Sequence, residues 1–196
     1  GAGWVVRPLG ALVFGRIGDR VGRRRAFLIT IVLMGFSTVA IGLLPTYAQV
    51  DLLAPALLVT LRLLQGLAVG GEFGGAATYV AEHSAPHRRG LNTSLVMGTG
   101  TIGLLLALLA IAVTRGVLGE QALEQWGWRL PFLASVLLLA LSVYMRLHLA
   151  ESPAFEKLQR EGQVAHAPLR EAFGKREHVK AMLLALVTLT AAQGVV

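Results

Sequence analysis

The chain has 196 residues, of which 55% are hydrophobic and only 15% are charged. Soluble domains carry about 25% charged residues and their helices keep a polar face, so this composition argues against a soluble helical bundle. The net charge of +7 is confined to segments between long apolar runs, which favours membrane orientation over nucleic-acid binding, and the absence of cysteine excludes disulfides.

The long apolar runs predict helices that cross a lipid bilayer, because about 20 apolar residues span a hydrocarbon core about 30 Å thick. The first run lacks a start methionine and the last run continues to the final residue, so we expect a fragment cut inside helices at both ends. The predicted spans, in chain order, are residues 1–14, 26–45, 55–82, 91–113, 130–149 and 179–196.

The connections between these spans alternate in charge. Connections 15–25, 83–90 and 150–178 are rich in arginine and lysine, whereas 46–54 and 115–127 carry one such residue between them. Consecutive helices that cross a membrane place their connections on alternate sides, and basic connections stay on the cytoplasmic side. The three basic connections are therefore predicted to be cytoplasmic.

The first basic connection contains more than orientation requires. It reads GRIGDRVGRR from Gly15 to Arg24, with an aspartate among arginines and regularly placed glycines. This stretch resembles the loop between the second and third helices of the major facilitator superfamily, G-x-x-x-D-R-x-G-R-R. RLLQG, from Arg62 to Gly66, is similar to the fourth-helix motif R-x-x-Q-G of that family. Three further stretches that resemble its helix boundaries are EHSAPHRRG, WRLPF and ESPAF.

The resemblance covers essentially the whole chain and implies an all-α, polytopic transmembrane helical bundle, about half of a twelve-helix protein of this superfamily. Residues 1–149 would form helices two to six of the N-terminal bundle. Residues 150–178 would form a cytoplasmic linker between the two halves, and 179–196 the start of helix seven. In the linker, Ser152 is predicted to cap a short helix that has Pro153 at its first position.

Two longer stretches carry a finer resemblance. RPLGALVFGRIGDRVGRR and RLLQGLAVGGEFGGAATYVAE are similar to the metabolite:proton symporters, a group that includes permeases for α-ketoglutarate, citrate, shikimate and proline/betaine. Two stretches, LLAPALLVTLRLLQGLAVGGEFGGAATYVAE and LEQWGWRLPF, are most similar to the α-ketoglutarate permease branch. The resemblance thus implies a small organic acid, such as a dicarboxylate, as substrate.

The span 55–82 carries a polar stripe. On a helical wheel of about 100° per residue, Arg62, Gln65, Glu72 and Tyr79 fall within an arc of roughly 100°. A charge that faces lipid costs about 2.5–3.5 kcal/mol, so we expect the stripe to face a water-filled cavity. The adjacent face consists of small residues that would let another helix pack closely, namely Gly66, Gly70 and Gly74.

Three charged residues inside predicted spans have two interpretations each. Glu72 is predicted to lie near mid-membrane. It is either a carboxylate that couples transport to a proton or a structural carboxylate that joins two helices. Arg62 either tunes a carboxylate of helix one, as the resemblance implies, or belongs to a fixed structural pair. Arg7 either binds a substrate carboxylate or extends to the membrane interface. The predicted substrate and proton-coupling residues are Arg7, Arg62, Gln65, Glu72 and Tyr79.

The resemblance also implies a cytoplasmic gate that favours one access state and opens in the other. Physically, an aspartate can face a helix N-terminus of the other half, and arginines can pair with acidic residues at helix ends. The predicted gate residues are Gly15, Asp19, Arg20, Gly22, Arg23, Arg24, Glu82, Arg89 and Glu151. Close packing against a neighbouring helix is expected for Gly98, Gly100 and Gly103.

We therefore expect proton-coupled symport of a small organic acid such as α-ketoglutarate by alternating access, in a monomer of the inner cell membrane. A proline- or betaine-type zwitterion symporter and a transporter-like solute sensor remain alternatives. The sequence contains no phosphate-binding loop for an ATP-driven pump, no nucleophile–base pattern for an enzyme and no metal-ligand spacing. We expect no cofactor and no nucleic-acid partner.

Overall fold

A computed structural model describes residues 2–161 together with Lys180 and Leu184. The described part of the chain consists of helices joined by short non-helical connections and contains no strand. The prediction of an all-α membrane bundle is confirmed. The predicted linker beyond Glu161 and the predicted span 179–196, except for the two residues named above, lie outside the described residues.

The helices follow one another with short connections. They are α1 (Ala2–Val21), α2 (Arg23–Gly42), α3 (Tyr47–Val50), α4 (Leu53–His83), α5 (Arg89–Leu118), α6 (Glu120–Ala122), α7 (Arg129–Leu147) and α8 (Pro153–Arg160). A 3₁₀ turn, Pro86–Arg88, precedes α5, and a π-helical turn, Leu123–Gly127, precedes α7.

Four of the described helices, α2, α4, α5 and α7, are long and apolar enough to cross a membrane. The first helix, α1, also has 20 residues, but four of its side chains are charged and it does not meet that measure. These four charged residues are Arg7, Arg16, Asp19 and Arg20.

The basic connection 15–25 is almost entirely helical. Helix α1 continues to Val21 and α2 begins at Arg23, so only Gly22 separates them. Gly22 has φ 106°, a left-handed conformation that glycine adopts without steric cost. The arginines of this segment are therefore held on helix ends rather than on a loose loop.

Helices α1 and α4 pack with their backbones almost in contact. A Cβ atom at Gly66 would overlap the backbone of Gly3, and one at Gly70 would overlap the backbone of Arg7. The predicted close packing of this glycine face is thus confirmed at two positions. Gly74 differs, since no described atom lies within 4 Å of its Cβ position.

Helix α2 supplies most of the buried core. It packs against α4 and α7, and it buries residues such as Phe27, Ile31 and Ile41. Its buried hydroxyl groups are satisfied within the helix: Thr30 Oγ1 donates to the Phe27 carbonyl at 3.0 Å and Ser37 Oγ to the Leu33 carbonyl at 2.7 Å. Internal bonds of this kind let polar residues lie in an apolar bundle.

Helix α5 is attached differently. None of its residues is buried against the described part of the chain. No described atom lies within 4 Å of the Cβ positions of Gly98, Gly100 and Gly103, so the expected close packing of these glycines has no partner among the described helices and stays a prediction.

Candidate functional site

Three predicted site residues line one cavity. The cavity, of about 620 Å³, lies between α1, α2 and α4, and Arg7, Arg62 and Gln65 face it. Arg7 comes from α1 and the other two from α4, on the side where the glycine contacts bring these helices together. The remaining lining residues are Gly3, Met34, Thr38, Leu58, Val59, Gly66 and Val69.

A short chain of hydrogen bonds orders the polar groups of this cavity. Arg62 Nη1 donates to Gln65 Oε1 at 3.1 Å, and Gln65 Nε2 donates to Thr38 Oγ1 at 2.7 Å. Thr38 Oγ1 in turn donates to the carbonyl of Met34 at 2.8 Å. Arg62 forms no ion pair with a described carboxylate, and its side chain is exposed to the cavity. An anionic group could therefore meet an ordered guanidinium here.

Glu72 lies outside this cavity. It is ten residues beyond Arg62, which is about 15 Å along α4. Its carboxylate forms an ion pair with Arg146 of α7, and the two side chains are only 19% and 18% exposed. The Arg146 guanidinium also lies 4.9 Å from the centroid of the Phe27 ring. This ion pair joins α4 to α7 across the face of α2.

Tyr79 lies further toward the end of α4. Its hydroxyl donates to the carbonyl of Ala150 at 3.0 Å, in the segment that follows α7. Its ring meets Phe27 edge-on at 5.6 Å and tilts against His83 at 4.0 Å. The polar stripe of α4 therefore does not face one cavity, because α7 and the segment after it cover the half that contains Glu72 and Tyr79.

An ion-pair network joins the ends of several helices on the predicted cytoplasmic side. Arg23 Nη1 lies 2.9 Å from Asp19 Oδ1, and Arg23 Nη2 lies 3.7 Å from Glu82 Oε1. Glu82 also accepts a hydrogen bond from Ser152 Oγ at 2.5 Å. Arg23 thus links α1, α2 and α4, and Ser152 extends the network to α8.

The N-terminus of α2 is capped by a distant carboxylate. Glu151 Oε1 accepts hydrogen bonds from the backbone N–H groups of Arg23 at 2.8 Å and of Arg24 at 3.2 Å. A negative charge is favourable at this end of a helix. Any side chain at Gly22 would overlap the Glu151 carboxylate. Asp19 pairs with Arg23 within the described bundle. The helix N-terminus of the other half that Asp19 is predicted to face lies outside the described residues.

Two further contacts complete the network. The Arg24 guanidinium donates to the carbonyl of Leu147 at the end of α7. Ser152, which is fully buried, accepts a hydrogen bond from the Phe155 backbone N–H at 3.3 Å and so caps α8, as predicted. One hydroxyl therefore both caps a helix and binds Glu82.

The other predicted gate residues lie at the edge of this network. No described atom lies within 4 Å of the Cβ position of Gly15. Arg20 lines a separate pocket together with Arg24. Arg89 is the exposed first residue of α5 and forms no ion pair with the described residues.

Sequence reasoning missed three residues with important contacts: Arg146, Thr38 and Phe27. Arg146 is interpreted from the sequence only as an orienting charge at the edge of a basic connection, because it lies in the last turn of α7, where a cation is an ordinary feature. Thr38 and Phe27 carry no signal of their own, since both residue types are ordinary in a buried helix.

Membrane-length helices around a polar cavity, with an ion-pair network at one end of the bundle, have the architecture of a membrane transport protein. The sequence model of the Major Facilitator Superfamily matches residues 4–196, and the chain belongs to this superfamily. The prediction of a transporter family rather than an enzyme family is confirmed. The finer assignment to an α-ketoglutarate branch remains a prediction.

Two relatives and one solved structure illustrate the similarity. The chain is 47% identical over 169 residues to the "Putative transporter YdfJ" of Escherichia coli strain K12, covering 86% of this chain and 39% of that protein. It is also 47% identical over 154 residues to a "Putative proline/betaine transporter" of Staphylococcus aureus strain COL, covering 78% of this chain and 33% of that protein. The chain therefore spans well under half the length of these relatives.

Among solved structures, the chain resembles the proton:xylose symporter XylE from Escherichia coli. The TM-score is 0.72 at 22% sequence identity, and the match covers 92% of this chain and 40% of XylE. At this identity the similarity concerns the fold alone. The chain is thus a multi-pass membrane protein that contains a part of this fold.

Proposed function

We propose that the chain is the N-terminal part of a proton-coupled symporter for a small organic acid such as α-ketoglutarate, working by alternating access. The observation that carries this proposal is the convergence of Arg7, Arg62 and Gln65 on one cavity between α1, α2 and α4. Residues 1–149 would form the N-terminal bundle, 150–178 the linker and 179–196 the first helix of the second half.

The chemistry of the cavity supports an anionic substrate. Its volume of about 620 Å³ lies within the range of about 300–1,000 Å³ that is common for small-molecule sites. Guanidinium groups bind carboxylates through paired hydrogen bonds, and the bond from Arg62 to Gln65 holds one guanidinium in place. Arg7 and Arg62 could each bind one carboxylate of a dicarboxylate.

The ion pair between Glu72 and Arg146 supports proton coupling. Glu72 Oε2 is buried and accepts no hydrogen bond from the described residues, so it is an atom that a proton could occupy. A protonated Glu72 would lose its charge attraction to Arg146 and loosen the contact between α4 and α7. Tyr79 would fix the segment after α7 on the same helix.

The cytoplasmic network supports a gate. In this proposal the contacts of Asp19, Arg23 and Glu82, with the Glu151 cap on α2, hold the helix ends together in one access state and separate in the other. Gly22 makes room for the cap. Arg24 adds its bonds to Glu151 and to the carbonyl of Leu147. Three more predicted gate residues lie at the edge of this network, namely Gly15, Arg20 and Arg89.

A zwitterion symporter is the second candidate, because the Staphylococcus aureus relative is named for proline and betaine. Quaternary ammonium groups are recognised by aromatic side chains. The described residues that line the cavity include no aromatic one, which favours the dicarboxylate. A solute sensor on the same fold is the third candidate and would bind without transport.

The remaining predictions on partners and location follow from this proposal. We propose an inner-membrane monomer whose partners are the substrate, the coupling proton and the lipid bilayer, with neither a cofactor nor nucleic acid. Residues 15–25, 83–90 and 150–178 would face the cytoplasm, since they carry most of the basic side chains.

Uptake into proteoliposomes tests the proposal. The full-length protein that contains this chain should accumulate labelled α-ketoglutarate when an inward proton gradient is imposed, and a protonophore should abolish accumulation. Uptake that ignores the protonophore would contradict proton coupling. Uptake of betaine without α-ketoglutarate would favour the zwitterion carrier, and binding without uptake would favour the sensor. Liposomes that carry an Arg62→Gln variant provide the control for the cavity.

A further inference from the structure

We propose that an anionic phospholipid of the cytoplasmic leaflet binds where α1, α2 and α8 meet, with its headgroup among arginines and an acyl chain along α2. This binding site is separate from the substrate cavity and does not require that the chain transport an organic acid. Only the choice of leaflet depends on the orientation proposed above.

The headgroup pocket is basic. It has a volume of about 540 Å³ and is lined by Arg20, Arg24 and Arg25, beside Glu151 and Phe155 of the segment after α7. Among the described residues that line the pocket, the only carboxylate is already engaged, because Glu151 Oε1 accepts hydrogen bonds from three backbone N–H groups. Three guanidinium groups against one engaged carboxylate leave a net positive charge for a phosphate.

Arg25 is the arginine of this pocket whose side chain has no polar contact in the described part of the chain. It is exposed and forms no ion pair or hydrogen bond with the described residues. Arg23, in contrast, is bound to two carboxylates, and Arg24 to a backbone carbonyl. An exposed guanidinium at the end of a membrane helix is suited to an anionic headgroup.

An apolar groove continues from the pocket toward the bilayer centre. Leu28 lines both, and the groove, of about 490 Å³, is otherwise formed by Ile29, Val32, Leu33 and Phe36. Ile29, Val32 and Phe36 are exposed on the outer face of α2. No polar residue lines this groove in the described part of the chain.

The length of the groove matches one leaflet. From Arg25 to Phe36 is eleven residues, which is about 16 Å along a helix. Half of a hydrocarbon core about 30 Å thick is about 15 Å. An acyl chain whose headgroup sits at Arg25 would thus reach the bilayer midplane beside Phe36. A soluble phosphate would use the basic pocket and leave this groove empty.

The bound lipid would also contact the cytoplasmic network. Arg24 lines the headgroup pocket, while its guanidinium donates to the carbonyl of Leu147 and its backbone N–H to Glu151. A phosphate that binds Arg24 therefore acts on the residue that holds the start of α2 to α7 and to the segment after it. Lipid composition would then influence how firmly these helix ends are held.

Native mass spectrometry of the full chain in detergent tests the site. Phosphatidylglycerol and phosphatidylcholine with the same acyl chains are titrated separately, and we expect bound phosphatidylglycerol at markedly lower lipid concentration. Arg25→Gln should weaken phosphatidylglycerol binding about fivefold, since each basic residue contributes about 1 kcal/mol to such binding. Arg88→Gln, which removes an exposed charge from the Pro86–Arg88 turn outside this pocket, should leave binding unchanged.

A second variant tests the groove independently of charge. Val32→Trp places a large ring on an exposed position of the groove and should weaken phosphatidylglycerol binding several-fold while helicity and monodispersity are retained. An excess of inorganic phosphate should not displace the lipid. Equal binding of the two lipids would overturn the proposal, and so would equal effects of Arg25→Gln and Arg88→Gln. Displacement by phosphate, with no effect of Val32→Trp, would instead show a site for soluble anions.

Discussion

Two parts of this bundle contain similar residues that make very different contacts. In the packed part, formed by α1, α2, α4, α7 and α8, glycines touch a neighbouring backbone, ions pair away from water and hydroxyls bind charged partners. In the part formed by α5, the Cβ positions of the glycines meet no described atom within 4 Å, and the ion pair at its end is exposed. The comparison teaches that residue type and spacing do not reveal a contact unless a partner is present. Each prediction below pairs a change in the packed part with a matched change in or beside α5.

The largest effect is expected at the ion pair of α4 and α7. Glu72→Gln leaves the Arg146 guanidinium without its carboxylate in a poorly exposed place, which should destabilise the protein by about 3–5 kcal/mol. The matched change, Glu120→Gln, disrupts the pair with Arg115, whose side chains are 65% and 59% exposed, and should cost less than about 1 kcal/mol. Denaturation in detergent by increasing sodium dodecyl sulfate measures both.

The same pair offers a rescue. Glu72→Gln combined with Arg146→Gln removes both charges and should regain most of the lost stability. If proteoliposomes with the double variant take up substrate but no longer respond to a proton gradient, Glu72 couples the proton. Unchanged proton dependence would assign Glu72 a purely structural role.

The next largest effect is expected at the contact of α1 with α4. Gly70→Val would force a side chain into the backbone of Arg7 and should destabilise the protein by about 3 kcal/mol. Gly100→Val of α5 meets no described atom within 4 Å and should change stability by less than about 1 kcal/mol. Thermal unfolding in detergent compares them, and equal shifts in Tm would mean that α5 has a packed neighbour after all.

A smaller effect is expected at the two glycines with positive φ. Gly22→Ala combines backbone strain at φ 106° with overlap with Glu151, and should cost about 2–3 kcal/mol. Gly119→Ala, at φ 77° with no described atom within 4 Å, should show the strain alone, about 1 kcal/mol. Limited proteolysis at the start of α2 reports the loss of the cap, and cleavage at equal rates in both variants would contradict it.

The smallest effect is expected from removing the side-chain hydroxyl of Ser152. Ser152→Ala removes the cap of α8 and the hydrogen bond to Glu82, and should cost about 1–2 kcal/mol. Ser94→Ala of α5 removes a bond to the carbonyl of Leu91 within the same helix and should cost a few tenths of a kcal/mol. Melting temperatures in detergent should rank the two in this order.

Much of the fold could be predicted because it depends on patterns along the chain. Long apolar runs locate the membrane helices, and the motif at Gly15 to Arg24 indicates the superfamily. The glycines at 66 and 70 predict a close helix contact because their partner, α1, also presents small residues. For the glycines of α5 the same reasoning identifies no partner among the described helices, since a sequence does not state which face meets another helix.

The candidate site could be predicted only in part. Charges inside apolar spans identify Arg7, Arg62 and Glu72 as residues that need an explanation. Arg7 and Arg62 line the cavity, whereas Glu72 forms an ion pair with Arg146. This difference depends on the position of α7, which the sequence does not give. The cap on α2 was also unforeseen, because Glu151 lies 128 residues from Arg23 in the chain.

The single glycine between α1 and α2 has a mechanical consequence. With one residue joining two helices of 20 residues each, a turn at Gly22 would move α2 as a lever about 30 Å long. A turn of about 10° at that pivot would carry the far end of α2 through about 5 Å, as follows from the helical rise. Small rearrangements around Glu151 would therefore be amplified at the opposite membrane surface.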